Sequence, residues 1–258
     1  MSSLADEFPL NSIKNFNHGV SPARQSTMLK VFGQPRQTFN QDCQPVTNPT
    51  LRHLITSSTN VGPFSVTGLR PAVESLQRII QDVKSDNILL YNALGTAGML
   101  CCRYVRGSTS SISNHSWGTA IDIKINGKLD PRGDNEVQYG LTLLATYFNR
   151  HGWFWGAGFR TEDGMHFEVS DELIRSWVAD GTLSGNSHAG ALTLSSGDRG
   201  PDVRDLQRKL KAAGFDPGVI DGDFGPNTKL ALTNFQQQKG LDPSGAADHE
   251  TLQALGLA

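Results

Sequence analysis

The sequence predicts an α+β protein: a small antiparallel sheet with flanking helices, followed by a three-helix domain. Two segments, 119–125 and 165–169, alternate apolar and polar residues with the period of a β-strand. Apolar stripes with helical spacing precede, separate and follow these segments. A stretch rich in Gly, Ser and Ala then divides this part of the chain from a second group of helical stripes.

The N-terminal part of the chain, residues 1–65, is polar, contains several prolines and shows no periodic pattern. We predict an irregular segment packed on the domain that follows. Pro71 then opens a helix, where its missing N–H is harmless in the first turn. The apolar stripe of this helix is formed by Val73, Leu76, Ile79, Ile80 and Val83.

Three further elements complete the first domain. The apolar run from Ile88 to Tyr91 is predicted to be a strand. A helix that ends at Gly152 lies between the two alternating segments and is marked by Leu141, Leu144, Ala145 and Phe148. A third helix is marked by Leu173, Ile174, Trp177 and Val178.

The domain boundaries follow from these patterns. We assign residues 66–180 to the first domain, 181–195 to a flexible linker and 196–258 to a C-terminal domain. In the last of these, three helices are indicated by Val203, Leu206 and Leu210, by Leu230, Ala231 and Phe235, and by Leu252 and Leu255. A unit of this size has a small core, so we interpret it as a binding module.

The first alternating segment carries a candidate metal ligand. Asp122 lies on the polar face of a strand whose other face consists of isoleucines. Just before it, Gly118 and a serine-rich stretch predict a tight loop that folds His115 back toward Asp122, because glycine adopts backbone angles closed to other residues. His115 and Asp122 are therefore predicted to form a ligand pair.

The second alternating segment carries a third ligand. His166 and Glu168 share one face of the strand 165–169. Glu168 either orients His166 or is an ordinary exposed residue, and we do not include it among the ligands. An N,N,O set leaves one tetrahedral position for water, as in a catalytic zinc site, although the same set also accepts other divalent ions.

Such a site needs a group that moves a proton, because zinc lowers the pKa of bound water to roughly 7. The candidate is Asp163, which lies three residues before His166 and next to Gly164. Glu162 is the nearest competitor, and the sequence alone leaves both open.

The pattern Ser113-x-His115-x-x-Gly118-x-Ala120-x-Asp122, with Asp163-x-x-His166, resembles the zinc D,D-carboxypeptidase and L-alanyl-D-glutamate endopeptidase family. Its members cut the stem peptides of bacterial peptidoglycan. The resemblance covers roughly residues 65 to 170, and its His-Phe-Glu ending is similar to that of phage endolysins. It implies that His115, Asp122 and His166 bind Zn²⁺ and that Asp163 is the base. Many relatives have glutamate where this chain has Asp163.

The same family places an arginine shortly before the histidine motif, as a clamp for a substrate carboxylate. Arg103 and Arg106 both fit this position, and we do not choose between them. With Ser113, the first residue of the motif, they form the predicted substrate-binding set.

The C-terminal sequence resembles the three-helix peptidoglycan-binding domain of cell-wall hydrolases. The resemblance rests on Gly200-Pro-Asp-Val203, on Asp221-Gly-Asp-Phe224-Gly225 with Thr228, and on Phe235-Gln236 with Gly240-Leu241. The final loop, 242–248, departs from the usual second Asp-Gly turn.

Composition limits the partners. The chain is 37% hydrophobic and 19% charged, and its formal net charge is -2, so no global positive field draws it to nucleic acid. No apolar run is long enough for membrane insertion. Three cysteines, of which Cys101 and Cys102 are adjacent, argue against a disulfide framework.

The leading hypothesis is a monomeric phage endolysin that hydrolyses a stem-peptide amide bond of peptidoglycan, the L-Ala-D-Glu bond, and lyses the host cell. The first thirty residues show no signal peptide. We therefore expect synthesis in the host cytoplasm, action in the periplasm or cell wall, and a holin for export. The alternatives are a bacterial D,D-carboxypeptidase or autolysin that removes terminal D-Ala, and a non-catalytic wall-binding protein with a structural zinc.

Overall fold

The computed structural model describes residues 3–183 and 194–257. The chain divides into two compact units, Met1–Ala179 and Asp180–Ala258. Most of the predicted linker 181–195 lies outside the described residues. No helix in the described ranges combines the length and apolar character that a membrane crossing requires.

The first unit mixes strands and helices, as the sequence predicts. Its elements are β1 (Glu7–Pro9), α1 (Gln25–Phe32), α2 (Pro49–His53), β2 (Ile55–Asn60), β3 (Ser65–Leu69), α3 (Arg70–Asp86), α4 (Ile88–Ala93), β4 (Leu94–Gly98), β5 (Ala120–Ile125), β6 (Glu136–Gln138), α5 (Tyr139–Arg150), β7 (Trp153–Trp155), β8 (His166–Val169) and α6 (Asp171–Ala179). Short 3-10 helices are formed by Leu10–Ser12, Asn114–Trp117 and Gly156–Gly158.

A four-stranded antiparallel sheet, in the order β4-β5-β8-β7, forms the centre of this unit. This confirms the predicted small antiparallel sheet. The alternation in β5 is the one expected, since Ile121, Ile123 and Ile125 are fully buried while Asp122 is partly exposed. The register places Asp122 of β5 directly opposite His166 of β8.

The predicted helices cover the sheet. The stripe of α3 is buried, and α5 buries Leu141, Leu144 and Phe148. Each large aliphatic or aromatic side chain removed from water in this way contributes about 1.5–3 kcal/mol. The third predicted helix is α6, which buries Ile174 and Trp177.

One predicted strand is wrong. Residues 88–91 lie in the helix α4, and the strand begins afterwards at Leu94. The side chain of Asn87 accepts a hydrogen bond from the backbone N–H of Leu90 at 3.0 Å, which caps the helix. Because a short apolar run fits a strand and a helix equally well, this cap decides the outcome.

Residues 1–65 contain more regular structure than we expected, since β1, α1, α2 and β2 lie there. Strand β1 pairs with β6, and β2 pairs with β3. The partner strands β3 and β6 belong to the part of the chain from residue 65 onward. A local sequence pattern does not reveal the pairing of β1 with β6, since these strands lie far apart along the chain.

The cysteines also differ from expectation. Cys43 forms a disulfide with Cys101, 58 residues away, and only Cys102 remains as a free thiol within the described residues. Burial raises the pKa of the Cys102 thiol to about 11, and its Sγ donates to the carbonyl of Ser116. The odd cysteine count therefore reflects one bridge plus one buried thiol.

The second unit contains the three predicted helices, α7 (Pro201–Ala212), α8 (Pro226–Lys239) and α9 (His249–Ala254). Their core includes Leu206, Phe224 and Phe235. The Oε1 of Gln207 accepts from the backbone N–H of Gly222, and its Nε2 donates to Thr228. The same pattern recurs at Gln236, Gly245 and Thr251. The final loop 242–248, whose sequence is atypical, thus makes the same contact with the side-chain amide of Gln236 that the earlier turn at Gly222 makes with Gln207.

Candidate metal centre

The loop that carries His115 is shaped by glycine. His115 lies in the 3-10 helix Asn114–Trp117, which ends at Gly118 with φ of +69°. A β-carbon at Gly118 would lie 2.7 Å from the backbone nitrogen of Leu69, so no larger residue fits. The chain then enters β5, and the turn brings His115 beside Asp122.

Three ligand atoms meet at this point. His115 Nε2 lies 3.2 Å from Asp122 Oδ1 and 3.2 Å from His166 Nδ1, and His166 Nδ1 lies 3.2 Å from Asp122 Oδ1. Within residues 3–183 and 194–257, this is the one group of three or more His, Cys, Asp or Glu residues close enough to share a metal ion. The structure therefore brings together the three residues that the sequence predicts as metal ligands.

The hydrogen bonds of the two imidazoles direct a lone pair from each toward the centre. His115 Nδ1 lies 2.9 Å from the carbonyl oxygen of Met99, and His166 Nε2 lies 2.9 Å from Glu168 Oε2. Because a carbonyl and a carboxylate only accept, these nitrogens carry the protons. His115 Nε2 and His166 Nδ1 are then free to bind a cation.

The donor set fits a divalent metal ion. With metal–ligand distances of roughly 2.0–2.1 Å, tetrahedral ligands are spaced about 3.3 Å apart, close to the distances seen here. The three residues line a cavity of about 420 Å³, so the side of the site away from the protein core is open to a small molecule. Two imidazoles and one carboxylate with an accessible position are typical of a catalytic metal site.

The electrostatics of the centre favour a cation. Burial disfavours the charged carboxylate of Asp122, but the charges and hydrogen bonds of His115 and His166 outweigh it and hold the pKa of Asp122 well below its usual range. Burial alone would lower the pKa of His166, yet hydrogen bonds to Asp122 and Glu168 raise it to about 10. A metal ion that binds here displaces a proton, so its affinity falls as pH falls.

Glu168 orients His166. It is 2% exposed, and its carboxylate accepts from His166 Nε2, from Asn114 Nδ2 at 3.0 Å and from the backbone N–H of Ala23 at 2.9 Å. Of the two interpretations that the sequence left open, the structure supports the orienting one. Ala23 also ties the N-terminal segment to the centre, which the sequence analysis missed.

Asp163 and Glu162 have different surroundings. Glu162 Oε2 accepts from the backbone N–H groups of Gly133 and Asn135, and Glu162 does not line the cavity. Asp163 lines it, with Oδ2 3.2 Å from Arg132 Nε and with Oδ1 buried and unpartnered among the described residues. Burial is the main cause that raises the pKa of Asp163.

The predicted substrate-binding residues Arg103, Arg106 and Ser113 all line the cavity. Burial and the neighbouring Arg106 lower the pKa of Arg103, so the partly desolvated Arg103 guanidinium gains from an anionic partner. Arg106 is exposed and donates to the backbone carbonyl of Gln41.

Two further arginines in the wall, Arg132 and Arg160, were missed by the sequence analysis. Arg132 follows a proline in the connection between β5 and β6, and its spacing from the histidine motif gives no signal. Trp117, which lies inside the motif, is fully buried and donates to the carbonyl of Gly33 instead of lining the cavity.

Comparisons with known proteins agree with this geometry. Residues 106–169 match the family described as D-alanyl-D-alanine carboxypeptidase, and residues 199–255 match the family described as putative peptidoglycan binding domain. A zinc D-Ala-D-Ala carboxypeptidase from Streptomyces albus G is 39% identical over 87 residues, covering 29% of this chain and 33% of that protein.

Other relatives match shorter segments. A spore cortex-lytic enzyme from Bacillus cereus is 45% identical over 62 residues, which is 24% of each chain. The solved structure of a Burkholderia AP3 phage endolysin is 44% identical, covers 25% of this chain and 24% of the endolysin, and superposes with a TM-score of 0.24, too low to bear on the fold. The chain spans about a quarter or less of the length of the first curated relatives that it matches. The chain thus carries a segment of the D-alanyl-D-alanine carboxypeptidase family, residues 106–169, and a segment of the peptidoglycan-binding family, residues 199–255.

Proposed function

We propose that this protein is a zinc peptidase of the endolysin type that hydrolyses a stem-peptide amide bond of peptidoglycan, the L-Ala-D-Glu bond. The observation that carries the proposal is the convergence of His115, Asp122 and His166 at the wall of a cavity that also holds Asp163. His115, Asp122 and His166 would hold a zinc ion, which would polarise the scissile carbonyl and lower the pKa of a bound water molecule toward neutrality.

The residues of the chain supply the remaining steps. Asp163 accepts the proton of the attacking water and delivers it to the leaving amine, and its raised pKa suits both roles. Arg103 and Arg106 line one wall of the cavity and bind substrate carboxylates, which are abundant in stem peptides. Ser113, which is 5% exposed, lies between these arginines and the metal ligands along the chain.

The C-terminal unit adds a second function. A wall-binding module tethered to the catalytic unit raises the concentration of substrate that the catalytic unit meets. On an insoluble polymer, this replaces tight binding at the active site. We propose that the protein acts in the cell wall as a monomer and that a phage-encoded copy reaches the wall through a holin.

A second candidate is a D,D-carboxypeptidase that removes terminal D-Ala, and the description of the matched family favours it. Digestion of purified cell walls, with and without a chelator, separates the two by product mass. Release of stem peptide from the glycan-linked L-Ala supports the endopeptidase, and loss of a single alanine supports the carboxypeptidase. Walls left intact by the metal-loaded protein would overturn both and favour a non-catalytic wall-binding protein.

A further inference from the structure

A second groove adjoins the catalytic cavity. Its volume is about 440 Å³, within the range of about 300–1,000 Å³ that is usual for small-molecule sites. Gln25 and Ile112 line both spaces, so the groove and the catalytic cavity share part of their wall. The proposed mechanism does not use this groove.

The groove differs from the catalytic cavity in charge. Four arginines and several acids line the catalytic cavity, whereas the described residues in the wall of the groove include no Asp, Glu, Lys or Arg. Amides, hydroxyls and aromatic rings line it instead, and we define it by Gln25, Gln34, Gln37, Phe39, Tyr104 and Ser110 and call it the amide groove. Such a wall favours a neutral ligand that carries many hydrogen-bonding groups.

The polar groups of the amide groove have unused hydrogen-bonding capacity. Gln25 Oε1 accepts from the backbone N–H of Ile112, which leaves its Nε2 available. In the part of the chain that the structure describes, the side-chain amide of Gln37 and the hydroxyl of Tyr104 make no hydrogen bond to protein. The rings of Phe39 and Tyr104 lie 5.5 Å apart with a 39° tilt and form an apolar patch beside these groups.

The two sides of the amide groove are held together. The disulfide joins Cys43 to Cys101, the backbone N–H of Tyr104 donates to the carbonyl of Asn40, and Gln41 donates to the carbonyl of Ser108. The groove therefore exists before a ligand arrives, which reduces the entropic cost of binding.

We propose that the amide groove binds an N-acetylated hexosamine of the glycan strand to which the stem peptide is attached. This inference rests on the proposed function. The carboxylate-bearing peptide occupies the arginine-lined cavity, and the neutral sugar lies next to it against Phe39 and Tyr104. Its hydroxyl and acetamide groups pair with the glutamine amides, while the apolar face of the ring covers the aromatic patch.

The experiment compares two soluble substrates of the full-length, zinc-loaded protein: a stem peptide linked to its disaccharide, and the same peptide without sugar. We expect the parent to have the higher kcat/KM on the disaccharide-linked substrate. Gln37→Ala and Tyr104→Ala should lower this value about tenfold, the loss of one good contact, and should change the value for the free peptide much less. Tyr104→Phe, which keeps the ring, should give an intermediate loss.

Matched controls are Gln81→Ala and Tyr147→Ala, which remove the same side-chain types from surface helices outside the groove. Equal values for the two substrates in the parent would overturn the proposal, as would an equal loss on both substrates in the groove variants. Failure of the parent to cleave either substrate would instead overturn the proposed function.

Discussion

Glu168→Gln is the substitution that most sharply tests how the centre is built. Three donors converge on the two oxygens of this buried carboxylate: His166 Nε2–H, the side-chain amide of Asn114 and the backbone N–H of Ala23. A glutamine side chain has the same shape but replaces one acceptor oxygen with an NH₂ group. Its remaining oxygen pairs best with His166 and Asn114, which leaves the NH₂ group facing the N–H of Ala23.

Glu168→Gln should have two effects, one on folding stability and one on metal affinity. An unpaired buried donor costs about 1–3 kcal/mol of folding free energy. Loss of the carboxylate that orients a metal-binding histidine lowers metal affinity about 10–100-fold, and we expect Glu168→Gln near the lower end because one hydrogen bond to His166 remains. Glu168→Ala removes that bond as well and belongs near the upper end.

Competition with a chromophoric chelator measures the zinc affinity of each variant, and thermal unfolding measures its stability. Glu172→Gln is the matched control, because Glu172 also accepts from the N-terminal segment, at the N–H of Ser21, and contacts no metal ligand. Zinc affinity in Glu168→Gln equal to that of the control would refute the reasoning.

Three further predictions follow from the same structure. Asp163→Asn should lower kcat about 10²–10⁴-fold with zinc content unchanged. Because burial raises the pKa of Asp163, the kcat/KM of the parent should fall on acidification at a pH above the ordinary aspartate value of 3.8. A fall in kcat/KM that begins only at or below pH 3.8 would contradict this. Burial raises the pKa of Asp130 to about 7 from 3.8, so the native state keeps a proton that the unfolded chain has lost, and stability should fall as pH rises from about 4 to 7 by up to about 4 kcal/mol. In thermal unfolding measured across this pH range, Asp130→Asn should lose this decrease of stability with pH. An unchanged decrease would contradict the raised pKa of Asp130. Reduction of the Cys43–Cys101 bridge should destabilise the first unit by about 4 kcal/mol, because the bridge restricts a loop of 58 residues in the unfolded chain. A Cys43→Ser variant that unfolds at the same temperature as the parent would exclude this.

The sequence predicted those parts of the site that depend on local periodicity. Alternation in 119–125 has a period of two, and the burial of Ile121 and Ile123 leaves Asp122 only the opposite face. Gly118 predicted the turn that returns His115 to the strand, because its positive φ excludes other residues.

The remaining features depend on contacts between distant segments. Arg132 reaches Asp163 across 31 positions of the chain, and Ala23 reaches Glu168 across 145. No spacing rule connects such residues, since the folded sheet and its loops bring them together. The strand predicted at Ile88 failed for a different reason, because the cap at Asn87 outweighs the apolar run.

Anomalous diffraction at the zinc absorption edge, on crystals of the full chain grown with zinc, tests the central claim most directly. We predict a single peak in the first unit, bonded to His115 Nε2, Asp122 Oδ1 and His166 Nδ1, with its fourth position facing the cavity. A peak elsewhere, or a fourth protein atom on the metal, would contradict the account.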